Sequence, residues 1–219
     1  MQILTGDIGG TKTRLGLFVA GKQRPVVREA ANFSSRRSRS LEAIIDEMLA
    51  RYPAKVKKAC FGIAGPVING LCRTTNLPWV VSEKKLQKRF GWRRVRLIND
   101  LGSTAMAIPL LAHREVKALN SAKVHKNQNI GLVAPGTGLG LALLVFLDGR
   151  YRPVASEGGH AGFAPADESE IDLWQYLQAR FGHVSAERVL SGRGLVNIYD
   201  WLKSSGDIPE SPEIRQAMR

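Results

Sequence analysis

The chain has 219 residues, 44% apolar and 23% charged, enough to bury one ordinary core or two small ones and too apolar for a disordered chain. Its net charge of +13 is uneven, with 24 Lys and Arg against 8 Asp and Glu in residues 1–130 and 8 against 11 in the remainder; the cations lack interleaved aromatics that would stack bases, so no nucleic-acid partner is expected. No apolar run is long enough for a bilayer, the N-terminus lacks the order of a secretion signal, and Cys60 and Cys72 form no CxxC pair, which together exclude a membrane span, a disulfide framework and a structural zinc and imply a cytoplasmic protein with reduced thiols.

Residues 2–33 read as three strands, "ILTGDIGG", "TRLGLFVA" and "RPVVREAANF", separated by turn residues. Leu41, Ile44, Ile45, Met48 and Leu49 recur at helical spacing behind Ser40, a cap residue. A buried strand follows over 57–65, then a hairpin turning at Asn69-Gly70, a basic helix over about 82–90, the strand that ends in "VRLINDLGS", and a helix from Asp100 toward Ala112. Strands followed by alternating strand and helix indicate an α/β domain with a mixed sheet. We place the first domain at 1–111 and a second at 112–219. The stretch 129–155 repeats the strand, Gly-rich turn, strand, turn, strand plan of the first thirty residues, as an internal duplication would. From Glu168 the pattern is helical, with Leu173, Trp174, Leu177 and Phe181 on one face, a further helix from Ser185, and Leu195, Ile198, Tyr199 and Leu202 on the face of a third; no strand is expected after 155, and "SSGDIPESPEIRQAMR" reads as a frayed polar end.

Three groups of residues can carry chemistry. Asp100 stands at a strand end, where α/β proteins face ligands, but an Asn-Asp pair before a helix also serves as a cap, and both readings stand at this level. Two Gly/Thr turns, one from Asp7 through Gly9, Gly10, Thr11 and Lys12 to Thr13 and one over Gly136, Thr137, Gly138 and Gly140, suit backbone N–H groups and hydroxyls that cradle phosphate from two sides. Asp7 would repel phosphate unless a cation such as Mg²⁺ intervenes through its waters. In "SEGGHAGFAP", Glu157 and His160 flank two glycines, a flexible spacing that lets both reach one polyhydroxyl ligand and excludes a helical metal motif. Glu187, by itself, reads as a helix-dipole residue, and His113 and His183 as structural.

"GDIGGTKTRLGL", "INDLGSTAMAIP", "GTGLGLA", "SEGGHAGFAP" and "GHVSAERVLSGRGLVNIY" closely resemble, in order, motifs of the bacterial glucokinase family, within the actin-like sugar kinase superfamily. The resemblance runs from Ile3 to about Leu202 and implies a ribonuclease H-like (actin-like ATPase) fold, two domains on central mixed sheets. It implies transfer of the γ-phosphate of ATP to the 6-hydroxyl of glucose, the entry step of glycolysis, with Asp100 as general base and Mg²⁺ as companion to ATP. Asn99, Glu157, His160 and Glu187 match residues that hold the other sugar hydroxyls, and "TTNLPW", with Asn76, a segment lining that pocket. Asp7–Thr13 and Gly136–Gly140 match the two phosphate loops. Two departures follow. "AGFAPADESE" replaces the Cys-rich zinc loop of the related repressor and open-reading-frame kinases, so no zinc is expected. Family members continue into an adenosine-binding segment and further strand and helix, so the second domain is expected to be C-terminally incomplete. The alternative is a truncated, non-catalytic sugar-binding or regulatory kinase homologue, and an unfinished sheet would suit a homodimer.

Overall fold

The computed structural model describes residues 2–74, 76–123 and 125–206. Thr75 of the pocket segment and most of the polar end lie outside the described residues.

The first sheet has five strands, β1 (Gln2–Ile8), β2 (Lys12–Val19), β3 (Val26–Ser34), β4 (Val56–Ile63) and β8 (Arg94–Asn99), in the order β3-β2-β1-β4-β8. β1, β2 and β3 pair antiparallel, while β4 and β8 continue from β1 in parallel. Alternation sets the faces: Leu4 and Ile8 of β1, Leu15 and Leu17 of β2, and Phe61 and Ile63 of β4 are buried together, and Asp7 and Arg14 point to the other side of the pleat. The inward residues meet α1 (Leu41–Arg51), which buries Leu41, Ile44, Ile45 and Met48, as its spacing predicts, and whose Ser40 cap accepts from the Ala43 N–H. Burying each such side chain contributes about 1.5–3 kcal/mol.

The small sheet β5 (Val67–Ile68), β6 (Leu71–Arg73) and β7 (Val80–Ser82) turns at Asn69-Gly70, both at positive φ, as the dipeptide predicts; β7 is too short to leave a pattern in the sequence. Ser82 caps α2 (Glu83–Phe90), and the Glu83 carboxylate accepts the Leu97 N–H of edge strand β8 at 2.8 Å, covering part of that exposed edge. α3 (Asp100–Ala107) is shorter than the sequence pattern suggested. Pro109 lacks the N–H that would continue the i→i−4 ladder, and the chain tightens into a single 3₁₀ turn at Ile108–Leu110.

Strands β9 (Ile130–Pro135), β10 (Leu139–Leu147) and β11 (Arg150–Ser156) form a three-stranded sheet in the order β11-β10-β9, the counterpart of β3-β2-β1, with Asp148 and Gly149 at positive φ in its second turn. α4 (Glu168–Phe181) buries Leu173 and Leu177, as expected. Beyond it one expectation fails and another holds only in part, since Ile198 of the expected apolar face does pack against the α4 core. Ser185 does not begin a helix: it is buried and bridged to Gly162, only a 3₁₀ turn follows at Ala186–Arg188, and α5 (Gly192–Ser205) starts instead from a Ser191 cap. Leu195 is 69% exposed, and α5 buries Gly194 and Asn197, the Asn side chain being tolerated there because it donates to the Arg188 carbonyl. Among the described residues no strand follows β11, and no helix is long and apolar enough to cross a membrane.

The chain divides into two compact units, Met1–Gln128 with Leu144–Pro153, and Asn129–Leu143 with Val154–Arg219. Residues 112–128, expected to open the second domain, cluster with the first, where Glu115 accepts a bidentate pair of hydrogen bonds from Arg24.

Candidate active site

In the first unit the parallel strands end together. Ile8 is the partner of Ile63 and Ile63 of Asn99, so Asp7, one residue before the end of β1, and Asp100, one residue after the end of β8, belong to the same rim of the sheet. The division of labour within the Asn-Asp pair is explicit. Asn99 is the cap, its carbonyl oxygen accepting the N–H groups of Leu101 and Gly102 at 3.1 and 3.2 Å while its amide donates to the Gly65 carbonyl. Asp100 accepts the Leu101 N–H on Oδ1 at 2.9 Å, which orients its carboxylate, and its backbone carbonyl receives the hydroxyls of Ser103 and Thr104. With the cap supplied by its neighbour, Asp100 is held in place without being the helix cap.

Asp7 titrates above the ordinary carboxylate range. Partial burial at the sheet rim is the main cause, the negative charge of Asp100 adds to it, and Arg14, its cross-strand partner, pulls the other way. The folded protein therefore binds this proton more tightly than the unfolded chain, and stability contributed here is lost as pH rises through the raised pKa. Asp7→Asn is expected to be more stable than the parent at neutral pH, with the difference vanishing below the usual carboxylate pKa of about 4; urea unfolding midpoints of both proteins across pH 3–8 check this.

The first glycine turn is fixed from behind by a residue that the sequence reading did not single out. The Gly9 N–H bonds the Lys12 carbonyl at 3.0 Å, the Ser35 N–H donates to the Thr11 carbonyl, and the Ser35 hydroxyl donates to the Gly9 carbonyl at 2.8 Å. Because the Ser35 proton is spent there, the Thr13 hydroxyl donates to Ser35 Oγ at 2.9 Å, and both side chains are fully buried. This corrects the expectation for Thr13: its hydroxyl is not a phosphate donor but part of the scaffold. Thr11 and Lys12 are exposed. Asn76 lies against the turn, where any Cβ on Gly10 would strike the Asn76 Cβ at 2.6 Å. Ser35→Ala leaves the Gly9 carbonyl and the Thr13 hydroxyl without their partner, and should cost about 1–3 kcal/mol in a denaturant titration.

The second unit carries the other glycine turn and the acidic-His loop. The Gly136 N–H bonds the Gly138 carbonyl and the Gly192 N–H bonds the Gly136 carbonyl, each at 2.8 Å, and Thr137 is exposed. Glu187 accepts the Leu139 N–H on Oε2 at 2.9 Å, across 48 residues of sequence, a tie that the helix-dipole reading did not contain. Glu157 and His160 flank a 3₁₀ turn closed by the His160 N–H and the Glu157 carbonyl; their side chains are 87% and 63% exposed, with Glu157 Oε2 and His160 Nε2 3.9 Å apart. They are brought side by side and left exposed. The loop is tied down from 183–186: the His183 ring meets the His160 carbonyl at 3.1 Å, Val184 accepts the Phe163 N–H, and Ala161 accepts the Ala186 N–H. His183 is thus structural, as read from the sequence, and its target is the loop that carries His160.

Each unit therefore holds a glycine turn suited to an anion together with polar side chains suited to hydroxyl groups. Comparison with known proteins supplies the family. Residues 4–218 match the family model described as Glucokinase. The chain is 37% identical over 209 residues to the glucokinase of Yersinia enterocolitica and 38% identical over 211 residues to that of Citrobacter koseri, in each case covering 95% of this chain and 64% of the relative. The chain thus spans about two thirds of the length of these relatives. Among solved structures it is similar to the glucokinase of an Antarctic psychrotroph, with a TM-score of 0.87 and 31% identity over 96% of this chain and 66% of the other. It shares its fold with the glucokinase of Balamuthia mandrillaris in complex with glucose, at a TM-score of 0.72, 22% identity and coverage of 95% of this chain and 64% of that one. The chain belongs to the glucokinase family.

Proposed function

We propose that the protein is a cytoplasmic ATP-dependent hexose kinase that transfers the γ-phosphate to the 6-hydroxyl of glucose. The observation that carries this reading is the rim of the first sheet, where parallel strands ending in register set an oriented carboxylate, Asp100, on the same rim as Asp7 and the glycine turn after it. A phosphate turn and a base on one rim suit phosphoryl transfer to an alcohol, a reaction that depends mostly on positioning and on neutralising oxygen charge.

In this mechanism Asp100 takes the proton from the acceptor hydroxyl as it attacks, and Asn99, fixed by its two cap bonds, and Asn76 hold neighbouring hydroxyls. Within the second unit, Glu157 and His160 suit sugar hydroxyls as exposed acceptors and donors, with Glu187 as a further carboxylate. In the first unit the backbones of Gly9 and Gly10, the Thr11 hydroxyl and the Lys12 ammonium suit phosphate oxygens, and within the second unit the backbones of Gly136, Gly138 and Gly140 with the Thr137 hydroxyl do the same. Mg²⁺ suits Asp7, because a cation relieves the repulsion between that carboxylate and Asp100 that adds to burial in raising its pKa. Held there through its waters, it would supply neutralisation of phosphate charge.

The test is a coupled assay for glucose 6-phosphate with the purified chain, ATP, Mg²⁺ and glucose, run beside calorimetry of glucose alone. The reading expects glucose binding and product whose phosphate is on C6. Glucose binding with no product would instead favour a sugar-binding homologue, and neither binding nor product would overturn both.

A further inference from the structure

The tie between Glu187 and Leu139 connects two parts of the second unit that the proposed reaction uses separately. Leu139 opens β10 immediately after the Gly136–Gly138 turn, so its N–H is the first backbone group that fixes where that turn leaves the strand. The tie is closely packed, since any Cβ on Gly138 would fall on the Glu187 carboxylate. The rest of Glu187 is also held: the Ser191 hydroxyl donates to its carbonyl at 2.7 Å, and the same hydroxyl caps α5 by accepting the Gly194 N–H. The turn itself is bonded to this segment through the Gly192 N–H and the Gly136 carbonyl.

We infer that Glu187 is a coupling residue: its Oε2 grips the Leu139 N–H behind the second phosphate turn while its Oε1 receives a sugar hydroxyl, so that sugar occupancy tightens the turn for phosphate. This rests on the sugar role of Glu187 in the proposed function. A carboxylate has acceptor sites for both bonds at once. A hydroxyl bonded to Oε1 restricts the side-chain rotamers of Glu187, and the restricted carboxylate presents Oε2 to Leu139 a larger fraction of the time. The energetic link is reciprocal, so phosphate on the turn must tighten the sugar by the same factor.

Calorimetry of the 219-residue chain with glucose and with magnesium tripolyphosphate, each alone and each in the presence of the other, reads this directly. Glucose should tighten tripolyphosphate by about fivefold or more, with the same factor in the reverse order. In Gly138→Ala, whose methyl displaces the flexible end of Glu187 and not a backbone atom, that factor, a ratio of affinities with and without glucose, should fall to about one whatever the affinity for tripolyphosphate alone becomes. A second readout needs no variant: hydrogen exchange at the Leu139 amide should slow when glucose is added. Glucose that binds the parent protein without changing tripolyphosphate affinity or Leu139 exchange overturns the coupling alone. A coupling factor in Gly138→Ala equal to that of the parent overturns it too, as does tripolyphosphate that binds at no glucose concentration. Glucose that fails to bind the parent overturns the sugar pocket and the coupling together.

Discussion

Asp100→Asn should lower the single-turnover rate of glucose phosphorylation by about a hundred- to ten-thousand-fold, the share that a positioned general base contributes. The substitution is isosteric, and the Asn amide oxygen can still accept the Leu101 N–H that Oδ1 accepts in the parent, so orientation and the start of α3 survive. Cap duty rests with Asn99 and is untouched. What disappears is the negative charge that takes the proton. Glucose affinity should change by less than about tenfold, the loss expected for one weakened hydrogen bond, so the effect falls on kcat and not on KM. Quenched-flow measurement of glucose 6-phosphate formation, with glucose calorimetry alongside, checks both halves; a variant that turns over at the parental rate removes Asp100 from its role.

The loop "EGGHAG" offers the second large effect, and it discriminates between neighbouring glycines. A Cβ on Gly159 would collide with the Leu139 carbonyl, a backbone atom that cannot step aside without moving the start of β10. A Cβ on Gly158 meets the Leu141 Cδ1 at 2.9 Å, the end of a side chain that can rotate, and the Ser156 Oγ at 3.2 Å, which accepts the Gly158 N–H, while a Cβ on Gly162 meets nothing. Gly159→Ala should therefore cost about 1–3 kcal/mol, toward the upper end because the obstacle is main chain, and should weaken glucose binding by displacing His160 beside it. Gly158→Ala should cost about 1 kcal/mol or less, and Gly162→Ala should stay within about 0.5 kcal/mol of the parent. Urea midpoints and glucose titrations of the three variants check the ranking. Equal effects at Gly158 and Gly159 would contradict the close packing of this loop on β10.

Features set by local pattern were legible in the sequence, and features set by distant contacts were not. The apolar spacing of Leu41 to Met48 defines α1, Asn69-Gly70 defines its hairpin, and alternation separates the buried Leu4 and Ile8 from Asp7. The resemblance of five motifs identified the family and its fold. By contrast, Ser35 reaches back 26 residues to the Gly9 carbonyl and 22 to Thr13, and nothing in "NFSSRR" marks one of two adjacent serines for that duty. For the same reason Thr13 read as a ligand donor, since a hydroxyl in a glycine turn has the same local signature whether it faces phosphate or the interior. Ser185 looks like a helix cap in isolation; its pairing with Gly162 is tertiary and overrides that tendency. Leu195 fits an apolar helical face, yet α5 turns Asn197 inward because the Arg188 carbonyl needs a donor there.

The account rests on Asp100 meeting the hydroxyl to be phosphorylated, and a crystal structure of this chain with glucose bound tests that most directly. The account predicts the sugar 6-hydroxyl within about 2.6–3.2 Å of an Asp100 carboxylate oxygen, the range for proton transfer to a general base, with a neighbouring hydroxyl on Asn99. Glucose bound with its 6-hydroxyl directed elsewhere, and Asp100 touching no part of it, would contradict the account.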